Sequence, residues 1–236
     1  MSTIGTLYGI GVGPGDPELI TVKAFRILRE SPVIAYPKKR MGSKSYAQQI
    51  LDTYVKPGEK EMVGLVFPMT KDRDVLDREW NNAVAAVWEH LRQGRDVAFV
   101  TEGDPLFYST FIHLMRVMNE QHPEVEVKAI PGVSSFLGAA SRLGIPLADG
   151  DEQIGIIPAT DDREAMRQAL LSHDCVIFLK VAKVLDLIIG LLEELDLVEK
   201  ASVVTKVTSS EEMIWRNVRD LAGADPGYLT LMVVKK

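Results

Sequence analysis

Four glycines at alternate positions, Gly9, Gly11, Gly13 and Gly15, stand in the run GIGVGPGDP at residues 9–17, between a β-type apolar run and an amphipathic helical stretch. A backbone without Cβ atoms can turn sharply there and come close to a ligand. The dinucleotide spacing GxGxxG is not met, because its last position, counted from Gly9, Gly11 or Gly13, falls on Pro14, Asp16 or Glu18. Phosphate also suits the run poorly, since a phosphate cradle needs free N–H donors at a helix start. Pro14 and Pro17 each delete one donor. Asp16 stands where an N-cap carboxylate takes others, with Pro17 at the first helical position. The loop fits a ligand that is neutral or cationic where it touches.

A second turn, Thr101-Glu102-Gly103-Asp104-Pro105, ends an almost continuous apolar strand, where open α/β sheets place their ligands. Two carboxylates around a glycine could hold an ammonium, a sulfonium or a ribose hydroxyl, or act as an acid–base pair; helix capping by Asp104 is the plain structural alternative. A third strand-to-helix turn, IPGVSS at 130–135, adds Gly132, Ser134 and Ser135, which a serine helix start explains equally well. Lys38, Lys39, Arg40 and Lys44 form a cationic run with no acid between Tyr36 and Gln49. In an acidic chain this is a candidate anchor for carboxylates or phosphates, against a solvated surface loop. No GxxxxGK[ST] or GxSxG motif occurs, which argues against P-loop and hydrolase chemistry. His90, His113, His122 and His173 are scattered without cysteine companions, so no metal is expected; the single Cys175 forbids an internal disulfide.

The elements that position these turns alternate along the chain. Strands are expected at 7–10, 32–36, 62–67, 96–101, 125–130, 153–157, 175–179, 202–207 and 228–234, with helices at 18–29, 45–54, 72–93, 107–119, 133–143, 163–171 and 182–195. The helix at 72–93 is clearest, with Leu76, Trp80, Val84, Val87 and Leu91 in one stripe and Gly94 as its stop. This is the pattern of parallel βαβ units, hence an α/β fold. The polar, proline-bearing segment 120–124 suggests a division into an N-terminal α/β domain, 1–120, and a C-terminal one, 121–236, with a ligand cleft between them. At 236 residues, 46% apolar and 25% charged, the chain is able to bury a sizeable core. Its net charge of -6 opposes broad binding to nucleic acid or anionic membrane, and no stretch reads as a leader or a membrane span. A small-molecule partner and a cytoplasmic location are expected.

Three stretches together, GIGVGPGDPELITVKA at 9–24, GDPLFYST at 103–110 and IPGVSS at 130–135, resemble the tetrapyrrole (corrin/porphyrin) methylases. Within that family, the run PVIAYPK at 32–38 and the overall length are most similar to the branch that methylates C-20 of precorrin-2 or cobalt-factor II in cobalamin biosynthesis. The resemblance implies a homodimer of two-domain subunits of class III methyltransferase type. S-adenosylmethionine would bind in the interdomain cleft and leave as S-adenosylhomocysteine. Carried over by motif, Pro14, Glu102, Gly103, Asp104, Phe107, Ser134 and Ser135 line the cofactor site, joined by Leu179 and by Leu229 or Thr230 from the second domain. The acceptor is a polycarboxylate, for which Lys38, Lys39, Arg40 and Lys44 form an anchor. Asp104, Tyr36 or a bound water would remove the C-20 proton. One departure stands out: the family's uroporphyrinogen III methylases carry an aspartate directly after the tyrosine of the second strand, where this chain has Pro37. That argues against their activity here. A relative acting on another tetrapyrrole position or on a protein, as diphthine synthases do, and a non-catalytic nucleoside- or corrinoid-binding module are the competing readings.

Overall fold

The computed structural model describes residues 4–39, 45–56, 58–221 and 226–236. The chain divides into two compact units, Met1–Ser134 and Ser135–Lys236.

In the first unit, β1 (Leu7–Gly11), β2 (Val33–Lys38), β3 (Glu61–Val66), β4 (Val97–Thr101) and β5 (Val127–Ile130) form one parallel sheet in the order β3-β2-β4-β1-β5. Side chains alternate across a strand, so successive residues meet different helices. Ile34, Tyr36, Ala98 and Val100 pack with α1 (Val22–Glu30) and α2 (Tyr46–Leu51). Val33, Ala35, Val97 and Phe99 pack on the opposite side with α3 (Arg73–Leu91) and α4 (Phe111–Gln121). Both faces are covered, and every residue of β4 is buried. Helix α3 begins at Asp72, whose carboxylate accepts from the N–H groups of Asp74 and Val75, and ends before Gly94 in the left-handed region.

The second unit holds α5 (Ser135–Leu143), β6 (Ile154–Pro158), α6 (Arg163–Ser172), β7 (Cys175–Leu179), α7 (Leu185–Glu194), β8 (Ala201–Thr205), β9 (Met213–Trp215) and β10 (Thr230–Lys235). Its sheet order is β6-β7-β10-β8-β9. Helices α6 and α7 cover one face through Met166, Leu170, Ile188 and Leu191, packed on Val176, Phe178, Val203 and Met232.

Two expectations change. The boundary moves from 120/121 to Ser134/Ser135, because Val127–Ile130 pairs with β1 and completes the first sheet. The polar segment is the end of α4 and the short loop that leads to β5. The second sheet is mixed rather than parallel: β6 and β7 are parallel, but β10 runs antiparallel to both β7 and β8, and β9 antiparallel to β8. Among the described residues, no helix is long and apolar enough to cross a membrane.

Candidate active site

Strands β1 and β4 are neighbours, yet the chain leaves β1 toward α1 on one face and β4 toward α4 on the other. Such a pair marks the topological switch point of an open α/β sheet, the place outside the carboxyl ends where ligands settle. Here the two strands are continued by their turns. The Val12 N–H donates to the Thr101 carbonyl at 3.0 Å, and the Gly103 N–H donates to the Gly13 carbonyl at 2.9 Å. Gly13 and Gly103 both lie in the left-handed region, at φ 84° and 62°. Asp104 then ties in the third turn: Oδ1 accepts from the Leu106 N–H at 2.9 Å and Oδ2 from the Gly132 N–H at 3.1 Å.

The approach is so close that side chains are excluded. A Cβ on Gly11 would lie 2.4 Å from the Gly103 carbonyl oxygen and 2.7 Å from Gly132 Cα; one on Gly132 would lie 2.1 Å from that same oxygen. Three motifs far apart in the chain thus form one seam of touching backbone. Downstream of the glycine run, Asp16 accepts from the Glu18 N–H at 2.9 Å, with Pro17 opening a single 3-10 turn. Its N-terminal donor is occupied as the sequence suggested. The regular helix restarts later, capped by Thr21.

Glu102 and Asp104 differ although one glycine separates them. Glu102 lies on the α2 side of the sheet, where its carboxylate accepts from the backbone N–H of Ala47 in the first turn of α2, with the Lys39 charge nearby. Burial nevertheless raises the Glu102 carboxyl above the ordinary glutamate value, outweighing its backbone hydrogen bonds and Lys39. Thr101 turns to the other side, where its hydroxyl accepts from Ser109 at 3.0 Å in a buried pair, and Ser109 in turn caps the Phe111 N–H. Between them, Phe107 is half-buried and edge-on to exposed Tyr108, whose φ of 50° keeps residues 107–110 out of the helix expected there.

The remaining candidates are spread over both units. Pro14 and Ser134 are buried in the first. Ser135 opens α5 in the second. Leu179, 7% exposed, ends β7, and Leu229 spends its carbonyl on the Lys206 N–H at 2.9 Å. The buried Thr230 hydroxyl lies 2.8–3.0 Å from the carbonyls of Gly227 and Pro226 and the Thr205 hydroxyl, which ties down the turn before β10. Tyr36 is 6% exposed, in the core with Ala47 and Ile50 of α2. Lys38 reaches 5.0 Å over the Tyr36 ring and its aliphatic stem crosses Gly64 of β3, while Lys39 is exposed. Arg40 and Lys44 lie outside the described residues.

Sequence reading missed Tyr54. Its hydroxyl donates to the Pro17 carbonyl at 2.6 Å and its ring meets Phe25 edge-on, which clamps the turn that follows the glycine run. Burial, then the charges of Glu18 and Asp16, raise its pKa, so it stays a donor. Tyr54→Phe is expected to lower stability by about 1 kcal/mol in urea titration, as loss of one part-buried hydrogen bond requires. An unchanged midpoint would show that the clamp contributes nothing.

Comparison with known proteins gives the chain relatives over nearly its whole length. A probable cobalt-precorrin-2 C(20)-methyltransferase of Methanocaldococcus jannaschii is 33% identical over 240 residues, which cover 98% of this chain and 96% of that one. The cobalt-precorrin-2 C(20)-methyltransferase of Salmonella typhimurium is 33% identical over 234 residues, 98% and 97% of the two chains. Among solved structures, a uroporphyrin-III C-methyltransferase of Thermus thermophilus, complexed with S-adenosylhomocysteine, superposes with a TM-score of 0.65 at 20% identity over 98% of each chain. The model of the Tetrapyrrole (Corrin/Porphyrin) Methylases matches residues 6–222. With most of its length matched, the chain belongs to the tetrapyrrole (corrin/porphyrin) methylases.

Proposed function

We propose that this chain transfers a methyl group from S-adenosylmethionine to C-20 of precorrin-2 or of cobalt-factor II, in cobalamin biosynthesis. The acceptor follows from the two relatives named for that reaction, each a third identical over nearly the whole chain. The family implies the donor, and the seam of Gly11, Gly13, Gly103 and Gly132 is the single observation that supports its placement.

That seam fits the donor's chemistry. S-Adenosylmethionine carries no phosphate, and its sulfonium and ammonium are cations. The turns spend N–H groups on one another, Asp16 fills the helical start, and carboxylates stand at 102 and 104. When bound, the sulfonium supplies an electrophilic methyl group. The chain must then hold the acceptor carbon in line with it at roughly 3–3.5 Å, exclude water and accept one proton. Pro14, Gly103, Asp104, Phe107 and Ser134 of the first unit, with Ser135, Leu179, Leu229 and Thr230 of the second, are the residues we assign to the donor. At Thr230 the contribution is placement of its turn, since its hydroxyl is committed within the unit.

Calorimetry with S-adenosylmethionine, followed by mass spectrometry and NMR of the products from precorrin-2 and cobalt-factor II, tests the reading. One equivalent bound and a methyl group on C-20 are expected. Binding of NAD or ATP in place of the donor, or no transfer to either acceptor, would overturn it.

The acceptor's carboxylates need cations, and the sequence offers Lys38 at the end of β2, then Lys39 and Arg40. Replacing all three by glutamine is expected to raise KM for the tetrapyrrole roughly tenfold, about the sum of three exposed ion pairs. Affinity for S-adenosylmethionine stays unchanged. An unaltered KM would reduce the segment to ordinary surface.

A further inference from the structure

Three carboxylates stand at the carboxyl ends of the first sheet's strands, and their partners separate them. Asp16 caps the Glu18 N–H. Asp104 gives one oxygen to the Leu106 N–H and the other to the Gly132 N–H, so its work is to join two turns. Tyr36 of β2 is packed into the core. Glu102 is placed differently. It directly precedes Gly103 of the seam and faces α2, its carboxyl desolvated by burial, with Lys39 of the cationic segment close enough to act on it. Glu102 thus adjoins the seam assigned to the donor and feels the charge of Lys39, from the segment assigned to the acceptor.

We propose that Glu102 is the catalytic base of the transfer, a contact with the reacting carbon and not only with the donor. The proposal rests on the methyltransferase reading above. The electron balance asks for one such group. The C-20 electron pair forms the new C–C bond as the S–CH3 bond breaks, its pair remaining on sulfur. C-20 then holds both the methyl group and its original hydrogen. That hydrogen leaves as a proton to the Glu102 carboxylate, the C–H pair returns to the macrocycle, and the carboxylic acid later gives the proton to water.

The surroundings suit this task. The Ala47 N–H fixes the carboxylate's orientation, and burial makes it a stronger base than a solvated glutamate. Among the described residues, the charge acting on it is Lys39, which follows β2; Asp104 is two residues on in sequence, and α2 presents the Ala47 N–H. A base must be unprotonated to act, so kcat is expected to fall as pH drops through a midpoint above the ordinary value of 4.5. The same shift has a cost in stability. A carboxyl whose folded pKa is raised stabilises the fold when protonated, and that contribution is lost as pH rises from the unfolded pKa through the folded one.

Glu102→Gln keeps the shape and an acceptor for Ala47 but cannot take a proton. With precorrin-2 as acceptor, kcat is expected to fall by at least about 100-fold. KM and donor affinity change little, the acid limb of the pH–rate profile disappears, and the melting temperature at pH 8 equals or exceeds that of the parent. Glu102→Asp, still a base, retains the acid limb and more activity than the glutamine variant. A glutamine variant with near-parental kcat, or one that loses KM while keeping kcat and the acid limb, would overturn the proposal alone. A glutamine variant that melts below the parent at pH 8, with Glu102→Asp equally inactive, would make Glu102 a cap of α2 and likewise overturn it. Absence of methyl transfer by the parent enzyme would instead remove the functional reading, and this proposal with it.

Discussion

Gly132→Ala is expected to abolish measurable binding of S-adenosylmethionine and to lower stability by about 3 kcal/mol, the upper range for forcing an atom into filled space. The added Cβ would sit 2.1 Å from the Gly103 carbonyl oxygen, 2.7 Å from Gly11 Cα and 2.8 Å from the Gly11 carbonyl carbon. All three are backbone atoms, of the end of β1 and of the turn after β4, so no rotamer change relieves the clash. The β5 turn must back away, which pulls the Gly132 N–H from Asp104 and opens the seam between β1, β4 and β5. Urea titration measures the first effect and calorimetry the second. Gly190→Ala is the control of opposite sign. It lies within α7, nothing stands within 4 Å of its Cβ, and alanine there is expected to stabilise by about 0.5–1 kcal/mol. Parental stability and affinity in Gly132→Ala would show that the three turns do not touch.

The parallel first sheet was readable because its physics is local. Buried strands such as VAFVT at β4 are apolar on both faces, and the helices between them carry one apolar stripe, as Val84, Val87 and Leu91 do in α3. The end signals were local as well: Asp72 caps α3, and Gly94 closes it with φ 77°. Strand direction is not a local property. In the second unit β7 and β8 are buried along their whole length and β10 nearly so, which is how parallel strands read, yet β10 runs against both. Three-residue β9 is too short to show any period. The polar run 120–124 reports exposure, and exposure does not distinguish a linker from a turn inside a sheet-forming unit.

The site divides along the same line. The alternate glycines were visible, but their separate tasks were not. Gly9 leaves room for the Phe111 ring, Gly11 for the neighbouring turns, and Gly13 takes a left-handed φ. The Asp16 cap depends on a neighbour two residues away and was legible. Tyr54 with Pro17, Ala47 with Glu102, and Gly132 with Asp104 are bonds across 28 residues or more, made only when separate strands share a sheet. Residue type and position mark Asp104 as a capping candidate but do not reveal the partner of Glu102. Their different roles come from the partners each meets: the Ala47 N–H of α2 for Glu102, and the Leu106 and Gly132 N–H groups for Asp104.

That difference yields the second large effect. Asp104→Asn is expected to weaken S-adenosylmethionine binding roughly 10- to 100-fold while leaving kcat at saturating donor near the parental value. The asparagine carbonyl can serve one of the two N–H groups, Leu106 or Gly132, but its NH2 then faces the other. An N–H left unpaired inside a turn costs about 1–3 kcal/mol, which here falls on the seam that holds the donor. Asp104→Ala removes both acceptors, so its loss of affinity is larger and is accompanied by a lower melting temperature. The split between affinity and rate distinguishes this residue from Glu102, whose glutamine variant loses rate and keeps affinity. Were Asp104→Asn to bind the donor normally yet turn over a hundredfold more slowly, the proton acceptor would be Asp104. Glu102 would then be left with the simpler task of holding α2 against β4.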